Sequence, residues 1–348
     1  MKIGIVNDLP IAAEALRRAI ALRPEHEVIW IAHDGAEAVA SCGQQTPDVV
    51  LMDLVMPGMG GVEATRQIMA HTPCAILIVT ANIGANATGV FEAMGYGALD
   101  AVDTPALGSR DSRASAAPLL AKIDGISRRI DSKNDTLRTA KLVFAHEPAA
   151  QEERLVAIGA SAGGPAALAK VLSGLPGDFP AAIVIVQHVD PQFVTGMADW
   201  LSHQSCLPVR VAQEGERPTM GSVLLAGTGD HLTLMASGDL RYTREPSDYV
   251  YRPSVDVFFR SVCRFWRFEA VGVLLTGMGR DGATGLKALR DKGCHTIAQD
   301  EASSAVYGMP KAAATLHAAV DILALDQIAP KLVNIFARHG ASDDKGRQ

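Results

Sequence analysis

The chain has few cysteines and no strong excess of charge of either sign. Only five of its 348 residues are cysteine, and no two of them have C-x-x-C spacing. This usage predicts reduced thiols in a cytoplasmic protein and argues against both a disulfide framework and a zinc site. The formal net charge of −6 offers no basic surface, which argues against nucleic acid as a partner.

Long apolar runs are also absent. No run approaches 18 residues, so the sequence predicts no membrane insertion. Residues 1–8 reach polar side chains after a few apolar ones, which predicts a short strand and not a signal peptide. With 48% hydrophobic and 20% charged residues, the composition is that of a globular protein, and the length suits two domains.

Apolar runs alternate with amphipathic stretches in both halves, which is typical of the α/β fold class. The first half predicts a five-stranded, doubly wound parallel sheet with strands at 2–6, 27–32, 49–52, 75–80 and 99–102. The second half predicts another doubly wound parallel sheet. A small antiparallel insertion is expected there, with strands at 223–226, 232–235 and 240–243.

A polar stretch of poor periodicity separates the two halves. It predicts one domain over residues 1–125, a linker over 126–153 and a second domain over 154–342. The two domains are expected to carry separate sites, because each has its own set of strand ends.

Polar side chains follow three predicted strands of the first half. Asp8 follows the first strand, Asp53 follows the third, and Thr80 ends the fourth. Because sites in open α/β sheets lie at the carboxyl ends of the strands, these side chains are expected to converge. Two carboxylates there would bind a hard cation such as Mg²⁺. Either aspartate by itself would be explained as a helix cap.

Residues 51–63, LMDLVMPGMGGVE, resemble the phosphoacceptor segment of response-regulator receiver domains. The resemblance implies that Asp53 accepts a phosphoryl group from a histidine kinase. It also implies that Asp8 and Asp53 hold Mg²⁺ and that Thr80 is the switch hydroxyl. The charge of the phosphoryl group would then shift the receiver domain between two conformations of its surface.

Two positions depart from the receiver pattern. Asn7 stands where the pattern has the first pocket acid, and Thr104 stands where it has a lysine before proline. Loss of the lysine removes a charge-assisted hydrogen bond worth about 1.5–3 kcal/mol to the phosphoryl group. We therefore expect phosphorylation of Asp53 with weaker Mg²⁺ dependence and poorer coupling to activation than in usual receivers.

The second half places a serine between a predicted strand and a predicted helix. Residues 159–163, GASAG, match the G-x-S-x-G nucleophile elbow around Ser161. The motif alone is equally compatible with a glycine-rich phosphate loop that has no nucleophile. His188 and Asp281 follow two other predicted strands, so all three side chains are expected at one edge of one sheet. That convergence predicts a Ser–His–Asp triad.

A second glycine motif offers a rival interpretation. Gly277, Gly279 and Gly282 match the G-x-G-x-x-G dinucleotide fingerprint and lie between a predicted strand and a helical pattern. This interpretation would place the Asp281 carboxylate in the turn that must hold a pyrophosphate. A dinucleotide-binding enzyme is therefore the alternative, and it leaves the triad pattern unexplained.

The second half as a whole resembles the CheB family of chemotaxis-type protein-glutamate methylesterases. The matching motifs are, in order, 158–165, 187–188, 251–256, 275–282 and 299–310. The resemblance implies a phosphorylation-regulated serine esterase that hydrolyses glutamate methyl esters on methyl-accepting chemoreceptors. Family members also deamidate receptor glutamines. Within the family, a receiver pocket with these two departures resembles that of regulators in the surface-sensing, Wsp-type subgroup.

In this family interpretation Ser161 attacks, His188 takes its proton and later activates water, and Asp281 orients His188. The backbone N–H groups of Ala162 and Met278 are the predicted oxyanion donors. Mg²⁺ is expected in the receiver domain, and the esterase is expected to need no cofactor. A function of a different class is a non-enzymatic response regulator whose second domain only binds a partner.

Overall fold

A computed structural model describes residues 1–82, 86–105, 112–130, 153–247, 249 and 251–337. The chain divides into two compact units, residues 1–137 and 138–348. The predicted linker, 126–153, begins inside a helix that ends at Ile130, and residues 131–152 lie outside the described part. In the part of the chain that the structure describes, no helix is long and apolar enough to cross a membrane.

The first unit contains the predicted five-stranded parallel sheet, and its strand order is β2-β1-β3-β4-β5. The strands are β1 (Lys2–Val6), β2 (Glu27–Ala32), β3 (Val49–Met52), β4 (Ala75–Thr80) and β5 (Asp100–Asp103). The helices are α1 (Pro10–Ile20), α2 (Gly35–Gln44), α3 (Gly61–His71), α4 (Ala87–Gly95) and α5 (Ser112–Ile130). Strands β3 and β4 are almost wholly apolar because both faces of a doubly wound sheet are covered.

The second unit contains a seven-stranded sheet with strand order β14-β13-β12-β6-β7-β9-β8. Its first strands are β6 (Leu155–Ala160), β7 (Ala182–Gln187), β8 (Val209–Val211) and β9 (Val223–Leu225). Strands β10 (His231–Leu234) and β11 (Leu240–Thr243) form a separate antiparallel pair. The main sheet is completed by β12 (Ala270–Leu274), β13 (His295–Gln299) and β14 (Asp321–Leu323).

The antiparallel insertion is smaller than expected. Strands β10 and β11 confirm it, but the assignment of residues 223–226 to the insertion is wrong, because β9 pairs in parallel with β7 and β8 in the main sheet. The physical reason is that a short apolar strand between glycine-rich turns has the same sequence pattern in either kind of pairing.

Helices α6 (Gly164–Ser173), α7 (Val194–Gln204), α8 (Val255–Phe265), α9 (Ala283–Asp291), α10 (Met309–Thr315) and α11 (Leu325–Ala337) complete the second unit. Helix α8 fixes the geometry of the sheet edge. It begins after the N-cap Ser254, and its apolar side buries Val255, Phe258 and Phe259 in the core. Its first turn lies so close to β6 that a Cβ on Gly159 would meet Val255 Cγ1 at 2.2 Å. Glycine is therefore required at position 159 for α8 to start beside the end of β6.

The packing of α8 makes a prediction about stability. Phe258 is completely buried, so Phe258→Ala should lower the free energy of unfolding by about 3–5 kcal/mol, measured by urea denaturation and circular dichroism. Met220 is 72% exposed, and Met220→Ala should change that free energy by less than about 0.5 kcal/mol. Equal effects of the two substitutions would contradict the position of α8 in the core.

Candidate functional site

Three neighbouring strands bring the predicted triad residues to one edge of the sheet. Ser161 directly follows β6 and His188 directly follows β7, while Asp281 lies in the loop between β12 and α9. Strand β6 lies between β12 and β7, so the three parallel strands end side by side. The side chains of Ser161 and Asp281 are almost fully buried at this edge.

His188 is held by Asp281 through one ring nitrogen. His188 Nε2 lies 2.8 Å from Asp281 Oδ2. Because a carboxylate only accepts hydrogen bonds, Nε2 carries the proton of this bond. His188 Nδ1 is buried and has no hydrogen-bond partner among the described residues. The imidazole is therefore oriented through Nε2, while Nδ1 has an unpaired lone pair that can accept a proton, as a general base requires.

Asp281 is fixed by the beginning of α8. Its carboxylate accepts hydrogen bonds from Ser254 Oγ at 2.8 Å and from the backbone N–H groups of Val255 at 2.7 Å and Asp256 at 3.1 Å. Burial by itself would raise the pKa of Asp281, but the hydrogen bonds from His188, Ser254 and Val255 hold it below its usual range. His188 and, to a lesser extent, the helix N-terminus thus keep this carboxylate ionised.

A reciprocal contact joins α8 to α9. Asp256, in the first turn of α8, accepts hydrogen bonds from Thr284 Oγ1 and from the backbone N–H of Gly285, each at 2.6 Å. Each of the two helices therefore receives a carboxylate at its N-terminus from the segment of the other. Asp256 lies in the matched motif 251–256 but had no predicted role, because an aspartate in a first helical turn also fits an ordinary helix start.

The Ser161 loop is built for close backbone contact. Gly163 has a φ of 74°, in the left-handed region, and leads directly into α6 with Pro165 in its first turn. A Cβ on Gly277 would lie 2.8 Å from Ser161 Cβ, so glycine is needed there. Gln187 Nε2 donates to the Ser161 carbonyl at 2.8 Å. Ser161 Oγ forms no hydrogen bond within the described residues.

Thr276 ties the Ser161 loop to the loop after β13. Its Oγ1 donates to the Ala162 carbonyl at 3.0 Å and accepts from the Val306 backbone N–H at 2.8 Å. Its backbone N–H donates to Gln299 Oε1 at 2.8 Å. The sequence analysis matched motifs containing these residues but assigned them no role. Their role is structural, because Thr276 holds the Ala162 carbonyl and its own carbonyl accepts the Ser161 N–H at 3.0 Å.

The predicted oxyanion donors have free amides. Over the part of the chain described, neither the Ala162 N–H nor the Met278 N–H donates a hydrogen bond. A donor that is free in the resting protein is what a developing oxyanion needs. The roles of Ala162 and Met278 stay predictions.

An aromatic residue that the sequence analysis did not assign lies on His188. The Tyr251 ring is stacked on the His188 ring with 4.4 Å between centroids and 5° between planes. The completely buried His231 accepts a hydrogen bond at Nδ1 from the backbone N–H of Ser254, in the same segment, at 3.1 Å. The only sequence signal was the match of 251–256 to the family motif.

The glycines of the rival motif form part of the same edge. Gly279 and Gly282 have φ values of 83° and 86°, but the loop is bonded to the chain itself. The Gly277 N–H donates to the Val306 carbonyl at 3.0 Å. Asp281 occupies the turn in which a pyrophosphate would have to sit. This arrangement argues against the dinucleotide interpretation.

In the acidic pocket of the first unit, Asn7 is hydrogen-bonded to Asp53. Asn7 Nδ2 donates to Asp53 Oδ2 at 2.8 Å, the Leu54 N–H donates to Asp53 Oδ1 at 2.7 Å, and the Leu9 N–H donates to Asn7 Oδ1 at 2.9 Å. Burial and, to a lesser extent, the charge of Asp8 raise the pKa of Asp53. Asn7 therefore acts as a neutral donor to the predicted phosphoacceptor.

Thr80 and Thr104 lie on neighbouring strand ends of this pocket. Thr80 Oγ1 accepts from Asn86 Nδ2 at 3.0 Å, and the Thr104 backbone N–H donates to the Thr80 carbonyl at 3.0 Å. The carboxylates of Asp8 and Asp53 are hard oxygen ligands. Mg²⁺ takes oxygen ligands of this kind, so the donor set of Asp8 and Asp53 fits this cation.

Comparisons with known proteins cover nearly the whole chain. Residues 156–332 match the family model for CheB methylesterase, and residues 3–107 match that for the response regulator receiver domain. Protein-glutamate methylesterase/protein-glutamine glutaminase 3 of Pseudomonas aeruginosa is 60% identical over 336 residues, which is 97% of this chain and 100% of the relative. The corresponding protein 4 of Burkholderia thailandensis is 62% identical over 339 residues, 97% of this chain and 98% of the relative.

A solved structure supports the same assignment for the second unit. The catalytic domain of Thermotoga maritima CheB methylesterase is 35% identical, has a TM-score of 0.50, and matches over 53% of this chain and 98% of its own length. The family models, the relatives and this solved structure all point to the same family. The chain belongs to the CheB methylesterase family, and it carries a response regulator receiver domain ahead of the esterase domain.

Proposed function

We propose that the chain is a phosphorylation-regulated esterase that hydrolyses glutamate methyl esters on methyl-accepting chemoreceptors. The observation that carries the proposal is the His188–Asp281 pair, with one imidazole nitrogen open, beside Ser161 at one sheet edge. The two relatives are also named for a second activity, that of a protein-glutamine glutaminase. The same site would suit a primary amide, because ester and amide hydrolysis both pass through a tetrahedral oxyanion.

In the first half-reaction Ser161 Oγ attacks the ester carbonyl carbon while His188 Nδ1 takes the hydroxyl proton. The carbonyl oxygen becomes an oxyanion that the Ala162 and Met278 N–H groups stabilise. The bond to the methoxy oxygen then breaks, His188 returns its proton to that oxygen, and methanol leaves. The glutamyl group stays on Ser161 as an ester.

In the second half-reaction a water molecule replaces methanol. His188 takes a proton from the water, whose oxygen attacks the glutamyl ester. The bond to Ser161 Oγ breaks, and His188 gives the proton back to the serine. Asp281 stays ionised throughout, because its lowered pKa keeps it charged while it stabilises the imidazolium.

In the receiver unit, the proposal assigns Asp53 as the acceptor of a phosphoryl group from a histidine kinase and Thr80 as the switch hydroxyl. Asp8 and Asp53 would hold Mg²⁺, which when bound offsets the negative charge of the transferred group. The proposal places the protein in the cytoplasm, a reducing compartment that suits its five free cysteines.

The deciding experiment measures methanol release from a methylated receptor fragment, with and without a small phosphodonor. We expect release in both cases and faster release with the phosphodonor. A chain that releases no methanol and does not react with a serine-directed fluorophosphonate would be a partner-binding regulator instead. A chain that reacts with the fluorophosphonate but releases no methanol would be an esterase with a different substrate.

Ser161→Ala should abolish methanol release and leave the thermal unfolding temperature almost unchanged, because the hydroxyl supplies the covalent chemistry and forms no hydrogen bond within the described residues. Ser173→Ala is the matched control, since Ser173 is an exposed serine at the end of α6. It should release methanol at the wild-type rate. Near-normal turnover by Ser161→Ala would end the assignment of the nucleophile.

Asp53→Asn should raise the free energy of unfolding of the first unit at pH 7. Because the pKa of Asp53 is raised in the folded state, its protonated carboxyl stabilises the fold at low pH. This stabilisation is lost as the pH rises through that pKa and the carboxyl ionises. The gain should therefore shrink as the pH is lowered. The exposed Glu92→Gln removes an equal charge and should change little.

The same variants test the Mg²⁺ site. Millimolar Mg²⁺ should stabilise the wild-type chain and Glu92→Gln against urea, and it should stabilise Asp53→Asn much less. If Mg²⁺ stabilised all three proteins equally, the cation would bind somewhere other than the Asp8–Asp53 pair.

Thr104→Lys should raise both the yield of phosphoprotein and the stimulation of methanol release by a phosphodonor. The reason is that an ammonium group restores a charge-assisted donor to the phosphoryl oxygens. Thr104→Val serves as the control, because it keeps the size of threonine and adds no charge. Unchanged yield and stimulation in Thr104→Lys would show that Thr104 does not limit the switch.

A further inference from the structure

The stacked pair of Tyr251 and His188 is not used by the mechanism above. Their ring centroids are 4.4 Å apart and their planes differ by only 5°. The other aromatic pairs in the described part of the chain are tilted or edge-to-face. Tyr251 lies three residues before Ser254, which donates to Asp281. One short segment therefore contacts both the base and the acid of the site.

A single hydrogen bond does not fix the plane of an imidazole. The bond from His188 Nε2 to Asp281 holds one nitrogen but permits rotation of the ring about the bond axis. Nδ1 has no partner among the described residues that would stop this rotation. A ring packed parallel on one face does stop it, because rotation would drive the imidazole edge into the Tyr251 ring. The direction of the open nitrogen thus depends on the stack.

The stack also bears on the charge that His188 acquires. When Ser161 gives up its proton, His188 becomes an imidazolium, and a cation over an aromatic face is attracted by the ring. Tyr251 is 36% exposed, and its hydroxyl forms no hydrogen bond within the described residues. The ring, and not the hydroxyl, is therefore the part of Tyr251 that can act on His188.

We propose that Tyr251 is a positioning residue for the general base: its ring fixes the plane of His188 and stabilises the imidazolium formed when Ser161 attacks. The inference rests on the proposed serine-esterase function. It assigns to this side chain an effect on the proton transfer itself, which does not depend on contacts specific to the receptor. Any reagent that Ser161 attacks should therefore report it.

The test compares Tyr251→Phe, which keeps the ring, with Tyr251→Leu, which removes it, in the full chain. The first measurement is the rate at which a small fluorophosphonate labels Ser161. In this reaction the serine oxygen bonds to phosphorus, the phosphorus–fluorine bond breaks, and His188 takes the serine proton. The second measurement is kcat and KM for methanol release. Phe268→Leu is the matched control, since Phe268 is an aromatic residue of the same unit with 43% exposure.

We expect Tyr251→Phe and Phe268→Leu to stay within about twofold of the wild type in both measurements. Tyr251→Leu should slow labelling and lower kcat by roughly tenfold each, with little change in KM. Tyr251→Met gives a second ring-free variant should Tyr251→Leu melt early, and it should slow labelling to a similar extent.

Two results would overturn the proposal. If the ring-free variants label at the wild-type rate and only KM rises, Tyr251 contacts the substrate and does not position the base. If Tyr251→Phe is as slow as Tyr251→Leu, the hydroxyl and not the ring matters. A wrong substrate assignment would give a different result. The wild type would then react with the fluorophosphonate at a normal rate but release no methanol.

Discussion

The second unit depends on one interaction, the binding of the Asp281 carboxylate by the first amides of α8. That contact holds Asp281 through Ser254 and Val255, and Asp281 Oδ2 accepts hydrogen bonds from both the Val255 N–H and His188 Nε2. It also fixes where α8 begins, beside the end of β6. Asp256 returns the contact by binding the start of α9. A helix N-terminus is a ready-made anion site, so the fixing of Asp281, the proposed acid of the site, and the packing of two helices are one structural feature.

Much of the fold and of the site could be predicted because both follow from strand ends. Strands β1 to β4 begin and end at the predicted residues, and Ser161, His188 and Asp281 lie at the predicted edge. Apolar runs bounded by polar turns locate a strand well, and a parallel sheet sets the strand ends side by side. Which strands pair is a different matter. Strand β9 was misassigned because pairing is decided by contacts that its own residues do not encode.

The rest of the site could not be predicted, because its members act through partners far away in the sequence. Ser254 contacts a carboxylate 27 residues later, and Thr276 bonds to a carbonyl 114 residues earlier. Tyr251 looks like an ordinary aromatic residue until His188 is placed against it. In the receiver pocket, Asn7 could be recognised as a departure from the pattern, but its bond to Asp53 became visible only in three dimensions.

The distance along the chain between His188 and Asp281, 93 residues, has a consequence for a chain that is still being synthesised. The proposed nucleophile and base emerge from the ribosome long before the proposed acid and before α8, which binds that acid. An unfinished chain contains Ser161 and His188 but nothing that fixes the imidazole. Because contacts between distant segments form only after the intervening loop is closed, the His188 ring is not held through Asp281 until α8 and the loop before α9 have been made and have docked.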